Sequence, residues 1–186
     1  MRFNKKLKFL FRMIPNKIRP YYIKNLSSLF KKNIDRNKIY NKMDKFFYYH
    51  LPFSLINHRI FFSKEHRGFG EDAFHSMWYL FFSEFKPKNC LEIGVYRGQV
   101  ITLWSLISKL LNFKTNISAI APFKSASDKD SKYLENIDYL KDTKKNHEFF
   151  DLEQPDYCIE YSTSKKAKEF IESKKWDLIY IDGSHD

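Results

Sequence analysis

The sequence predicts an α/β fold: a parallel sheet covered on both faces by helices, preceded by a basic helical extension. Three observations carry this reading. From residue 72 onward, short apolar runs bounded by turn residues alternate with amphipathic stretches. The runs are apolar without alternation, as strands buried on both faces are. Charge then divides the chain: residues 1–67 hold 17 Lys/Arg against 3 Asp/Glu, and residues 68–186 hold 16 against 19. The net charge of +11 over 186 residues therefore belongs to the first third. We place the organisation accordingly, as a basic, aromatic-rich extension over 1–67 and an α/β domain over 68–186.

The extension comes first. Phe3, Leu7, Leu10, Phe11 and Ile14 recur at helical spacing with Lys and Arg between them. Such a face can lie on an anionic membrane surface. It can also meet nucleic acid, with cations on phosphates and aromatics stacking. The expectation we adopt is plainer: the aromatic face packs on the main domain or on a partner, with the membrane surface as the alternative and nucleic acid set behind both. Pro15, Pro20 and Pro52 cut the region into short pieces.

"GFGEDAFHSMWYLFFSEFKPKN" follows. Glu71 and Asp72 supply the negative charge a helix start favours, and Pro87 ends the segment. Phe74, Met77, Trp78, Phe81, Phe82 and Phe85 recur at steps of three and four, so they are expected in the core; His75 is expected to pack or lie at the surface. Then the period changes. "NCLEIGV" (89–95) reads as a strand closing on glycine, and "GQVITLWSLISKLLN" as a helix with Val100, Leu103, Trp104, Ile107, Leu110 and Leu111 on one face. "NISAIAP" (116–122) is a second strand. "SDKDSKYLENIDYLKDTKKNHEFF" holds one or two helices, with Tyr133, Leu134, Ile137 and Leu140 spaced for one face. "DYCIEY" (156–161) is a third strand, "STSKKAKEFIESKK" a helix capped by Ser or Thr, and "WDLIYID" (176–182) a fourth strand.

Composition closes off several classes. An apolar share of 43% suffices for a core, and 5 Gly with 6 Pro fit neither collagen nor a low-complexity chain. Cys90 and Cys158 lack metal-ligand spacing and sit in apolar runs, so a reduced, buried pair in a cytoplasmic protein is expected. No stretch approaches the ~20 apolar residues of a membrane span. The first twenty residues lack the small-residue cleavage site of a secretory signal.

In open α/β sheets, ligands bind beyond the carboxyl ends of the strands. After the first strand stand Glu92, Gly94 and Gly98, an E-x-G-x-x-x-G pattern. Gly94 permits a tight turn, and Gly98 is expected to leave room for a ligand at the N–H groups of the next helix. After the fourth strand stand Asp182, Gly183, Ser184, His185 and Asp186. Asp-Gly is an ordinary turn pair and Ser a helix cap. A carboxylate with a histidine three residues later also suits cation binding and proton abstraction.

"CLEIGVYRGQ" followed, one βαβαβ stretch later, by "WDLIYIDGSHD" resembles class I S-adenosylmethionine-dependent methyltransferases. Within that class it is similar to the metal-dependent O-methyltransferases of small molecules, sugar hydroxyls included. The likeness covers about residues 70–186. It implies an incomplete doubly wound, Rossmann-like parallel sheet: strands 1–4 of a seven-strand fold whose strand order is 3-2-1-4-5-7-6. It implies S-adenosylmethionine as cofactor, lined by Glu92, Gly94 and Gly98, with Ser162 either at the adenine or capping the next helix, the cap being preferred. Asp182 matches a Mg2+ ligand and His185 the base that deprotonates an acceptor hydroxyl. Two positions depart from the pattern. Ala121 and Pro122 stand where an acidic residue usually holds the ribose, with Ser125, Ser127 and Asp128 the next polar candidates, and Tyr96 replaces a common glycine. Since "DLIYI" belongs mid-sheet in that fold, we expect the chain to be the N-terminal part of a longer enzyme, inactive alone. Two other classes remain for comparison: a binding protein that uses its basic segment, and a dehydrogenase, which the lack of a tight G-x-G-x-x-G turn disfavours.

Overall fold

The structure, a computed structural model, describes residues 35–124 and 137–183. It divides into two compact units. One gathers the described residues of Met1–Glu65 with Phe69–Phe85; the other gathers His66–Gly68 with the described residues of Lys86–Asp186. The amphipathic residues 1–14, with Tyr133, Leu134, Ser125, Ser127 and Asp128, lie outside the described residues.

Among the described residues the first unit holds three helices: α1 (Arg36–Tyr49), α2 (Phe53–Ser63) and α3 (Asp72–Phe85). The Asp35 side chain caps α1 by accepting the Asn37 N–H at 2.9 Å. Pro52 stands at the N-cap of α2, where its missing N–H leaves no helical bond unmade. Met43, Phe46 and Phe47 of α1 are buried, with the Phe46 ring 6.2 Å from Tyr79 and Phe47 edge-on to His75. The acidic start of α3 is used twice over. Glu71 accepts from Tyr40, and Asp72 accepts from Tyr48 while pairing with Arg59 at 3.0 Å. The buried stripe of α3 is Ala73, His75, Ser76, Trp78, Tyr79, Leu80 and Phe82. Trp78 and Phe82 fall in the core as expected, but Phe74 and Phe85 are exposed, and His75 is a core residue. A helix apolar almost all round gives periodicity no clear face to choose.

The second unit holds β1 (Asn89–Ile93), α4 (Gln99–Leu110), β2 (Asn116–Ile120), α5 (Tyr139–Phe149), β3 (Asp156–Cys158), α6 (Lys165–Glu172) and β4 (Leu178–Ile181). All pairings are parallel and the strand order is β3-β2-β1-β4. That is the order expected for the first four strands of the Rossmann-like sheet. Each strand is shorter than its apolar run; β3 keeps three residues, and Ile159 and Tyr161 of "DYCIEY" are exposed.

The register fixes which side chains share a face. Leu91 lies beside Ile179, Ile93 beside Ile120 and Ile181, and Ile120 beside Cys158. Ala167, Phe170 and Ile171 of α6, with Trp176, cover Leu91, Ile93, Ile120 and Cys158. On the other face α4 buries Leu103, Trp104 and Ile107, and Trp104 meets the Tyr180 ring edge-on at 6.3 Å. Burying each large apolar side chain contributes roughly 1.5–3 kcal/mol. β4 is an edge among the described residues, and Ile179 and Ile181 on it are 45% and 70% exposed. Both cysteines are free and buried, and burial pushes the Cys90 thiol up to about 12.

Candidate functional site

β1 and β4 run side by side, so their carboxyl ends arrive together. The pairing continues one residue past each strand: Gly94 N–H donates to Ile120 O at 2.9 Å and Asp182 N–H to Ile93 O at 2.8 Å. Gly94, at φ 94°, then turns directly against the Asp182–Gly183 backbone. A Cβ on Gly94 would stand 2.5 Å from the Asp182 carbonyl carbon and nearer still to Gly183. The two motifs, ninety residues apart in sequence, thus meet in backbone contact.

Glu92 projects from β1 and is only 4% exposed. Its carboxyl takes the Ile101 N–H in the first turn of α4, where a helix carries partial positive charge. Its Oε2 has no partner among the described residues. Burial first, and the nearby Asp182 charge second, push Glu92 well above the usual carboxylate range. Asp182 itself is exposed and accepts from the Tyr180 hydroxyl at 3.1 Å. Burial, and then Asp182, raise the Tyr180 phenol in turn.

Gly98 takes the left-handed conformation, φ 81°, at the N-cap of α4. The space its side chain would take is filled from within the protein. Thr143 Cγ2 fills that space, 2.6 Å from where a Cβ would lie, so the glycine serves the turn and the approach of α5. Ser162 is exposed and does not cap the following helix; Ser164 does, accepting the Ala167 N–H at 3.1 Å. In the run Ser-Thr-Ser the cap falls to whichever hydroxyl directly precedes the first helical turn. Tyr96 turns its ring to Tyr139, 5.1 Å away. At the end of β2, Ala121 is buried and tied to Cys158 O, Phe123 packs edge-on to Tyr157, and Lys124 lies over the Tyr161 ring.

His185 lies outside the described residues. Among the described residues, no group of three or more His, Cys, Asp or Glu is placed to hold a metal ion. A hard divalent cation seeks about six oxygens. Among the described residues, the single exposed carboxylate of Asp182, beside a Glu92 that favours its neutral form, does not make such a set; Ser184 and Asp186, like His185, lie outside them.

Sequence reading missed the inner face of α5. Tyr139, Thr143, Asn146 and His147 are buried there, whereas Ile137 and Leu140 are only partly covered. Asn146 donates to Arg97 O at 2.8 Å, and Arg97 pairs with Asp142 at 2.6 Å. The available signal was a polar stripe at helical spacing, Tyr139-Asp142-Thr143-Asn146.

Neither the family models nor the curated proteins contain a match to this chain. Among solved structures, the chain is similar to the SAH-bound methyltransferase PaMTH1 of Podospora anserina. The two are 15% identical, with a TM-score of 0.50 over 72% of this chain. The fold is the Rossmann-like methyltransferase fold. This chain spans about half, 51%, of the matched chain's length. No helix among the described residues is long and apolar enough to cross a membrane.

Proposed function

We propose that the second unit is the cofactor-binding part of an S-adenosylmethionine-dependent methyltransferase. The observation that carries this is the meeting of β1 and β4 at Gly94 and Gly183, with a buried, half-satisfied Glu92 at the start of α4. The matched structure, PaMTH1, is SAH-bound, and SAH is the demethylated cofactor.

S-adenosylmethionine supplies a methyl already activated on a cationic sulfur. This chain's part is therefore binding and alignment, which can contribute a large share of the rate. Glu92 offers a carboxyl oxygen free for an ammonium. The first turn of α4 offers N–H groups suited to a carboxylate. The close packing at Gly94 keeps the strand ends from drifting. We take the acceptor to be a hydroxyl of a small molecule or sugar, on the resemblance of "DGSH", with His185 as the candidate base. The proposal includes no metal step, because Asp182 alone does not make a cation site.

Calorimetry on the full chain decides the matter. Saturable binding of S-adenosylmethionine or SAH, and none of NAD, is the expected result. Saturable NAD binding alone would remove the methyltransferase reading. For residues 1–67, the alternative to packing on the domain or a partner is an anionic membrane surface, suggested by 17 basic against 3 acidic residues. Co-sedimentation with vesicles containing phosphatidylserine, but not with neutral vesicles, is expected.

A further inference from the structure

We propose that Asp142 and Asn146 are positioning residues for the cofactor loop, acting through Arg97; the inference rests on the cofactor reading above. Loop residues 96–98 are each held by α5. The Tyr96 ring packs at a tilt against Tyr139, centroids 5.1 Å apart. The Arg97 guanidinium, 4% exposed, donates from Nε to Asp142 Oδ2 at 2.6 Å. The Arg97 carbonyl accepts from Asn146 Nδ2 at 2.8 Å. Gly98 lies against Thr143. Asn146, 1% exposed, is itself fixed from the other side, its Oδ1 accepting from Arg67 at 3.3 Å.

The spacing explains the grip. Positions 139, 142, 143 and 146 are i, i+3, i+4 and i+7, one helical stripe, and they meet three consecutive loop residues. Glycines alone make such a loop permissive rather than fixed. A partly buried ion pair and a side-chain-to-backbone bond convert that permission into one geometry. Both run between the loop and α5, so the clamp acts by holding the loop and need not itself touch a ligand. The polar burial is poor economy for stability alone, since apolar residues would pack there at least as well. Its use is to set where the α4 N-terminus points.

The test uses the full chain with Asp142→Asn, Asn146→Ala and, as a control, the exposed Lys145→Ala. Two readouts are taken well below the unfolding temperature: S-adenosylmethionine affinity by calorimetry, and amide hydrogen exchange at residues 94–99 against β2. Asn146→Ala and Asp142→Asn are each expected to weaken binding tenfold or more and to speed loop exchange at least tenfold, with β2 unchanged; Lys145→Ala moves neither. Arg97→Lys with native Asp142, which keeps the ion pair, should recover part of the loss seen in Arg97→Ala. Unchanged loop exchange in both variants overturns the inference, as does a tenfold faster loop with unaltered affinity. If the native chain binds no S-adenosylmethionine, the functional reading falls, while loop exchange still decides whether α5 fixes the loop.

Discussion

Replacing Gly94 by Ala puts the main structural claim at risk. The new Cβ would lie 2.5 Å from Asp182 C and closer to Gly183, and every one of those atoms is backbone. No side chain can swing aside. The residue would also have to hold φ near 94°, where a side chain costs about 1–3 kcal/mol. Forcing the strand ends apart adds roughly 1–3 kcal/mol of overpacking. It also weakens the 2.8 Å bond from Asp182 N–H to Ile93 O, worth about 1 kcal/mol net. The expected loss is about 3–7 kcal/mol, a large part of the ~5–15 kcal/mol that keeps a domain folded. Urea unfolding followed by fluorescence of Trp104 and Trp176, both in the second unit, measures it. With a slope near ~2 kcal/mol/M the midpoint falls by about 2 M. Gly183→Ala is the matched control. Among the described residues a Cβ there meets only Gly94 Cα, at 3.8 Å, so the change should be nearly neutral. If Gly94→Ala unfolds within ~0.5 kcal/mol of the native chain, or if both alanines cost the same, the two motifs do not meet and the reasoning fails.

The other expectations are of the same kind. Gly98→Ala should cost about 2–4 kcal/mol, and combining it with Thr143→Ala should return part of that, because here the obstruction is a methyl; a strictly additive double mutant argues against the contact. Glu92→Gln should stabilise the fold at pH 8 and weaken S-adenosylmethionine binding. With its pKa raised in the folded state, Glu92 keeps its proton there while the unfolded chain loses it, so native stability falls above pH ~4.5 by up to ~1.4 kcal/mol per unit; equal pH slopes in mutant and native chain refute this. His147 runs the opposite way: burial holds it at about 4, so stability is full above pH ~6.5 and drops on acidification by ~3 kcal/mol in all by pH 4. His147→Gln should flatten that acid limb, and an unchanged limb places the titration elsewhere.

How much of this was written in the sequence varies with the kind of signal. The sheet was legible because "CLEI", "ISAI" and "LIYI" are apolar on consecutive residues, and a glycine turn marks where the first ends. Their order in the sheet came from the resemblance, and the structure agrees with it. Glu92, Gly94 and Asp182 were placed at one end of one sheet by strand direction alone. What stayed hidden was tertiary. The α5 stripe is polar, so hydrophobic periodicity pointed instead at Ile137 and Leu140. The reason Gly98 is glycine lies 45 residues away, in a threonine methyl. Residues of α3 such as Phe74 and His75 exchange the roles their hydropathy suggests, because a neutral imidazole can bond His58 Nδ1 at 3.0 Å while a phenyl ring makes no hydrogen bond.

The site that results is uneven, and the unevenness has a physical cause. Around β1 and β4 everything is fixed twice: Gly94 by backbone contact, Glu92 by the α4 N-terminus, the loop by α5. At the end of β2 the backbone is equally fixed, with Ala121 bonded to Cys158 O and Phe123 buried, yet the side chains there are apolar or, at Lys124, cationic. A ribose presents neutral hydroxyls that a carboxylate would normally accept from, and Lys124 can only donate. On the proposed cofactor reading, then, the described residues contribute chiefly at the ligand's amino-acid end, through one buried carboxyl and one helix terminus. On that reading, a site built that way depends on hydrogen bonding and on the placement of a single loop. That is why the clamp on residues 96–98 matters more here than it would if a second carboxylate shared the load.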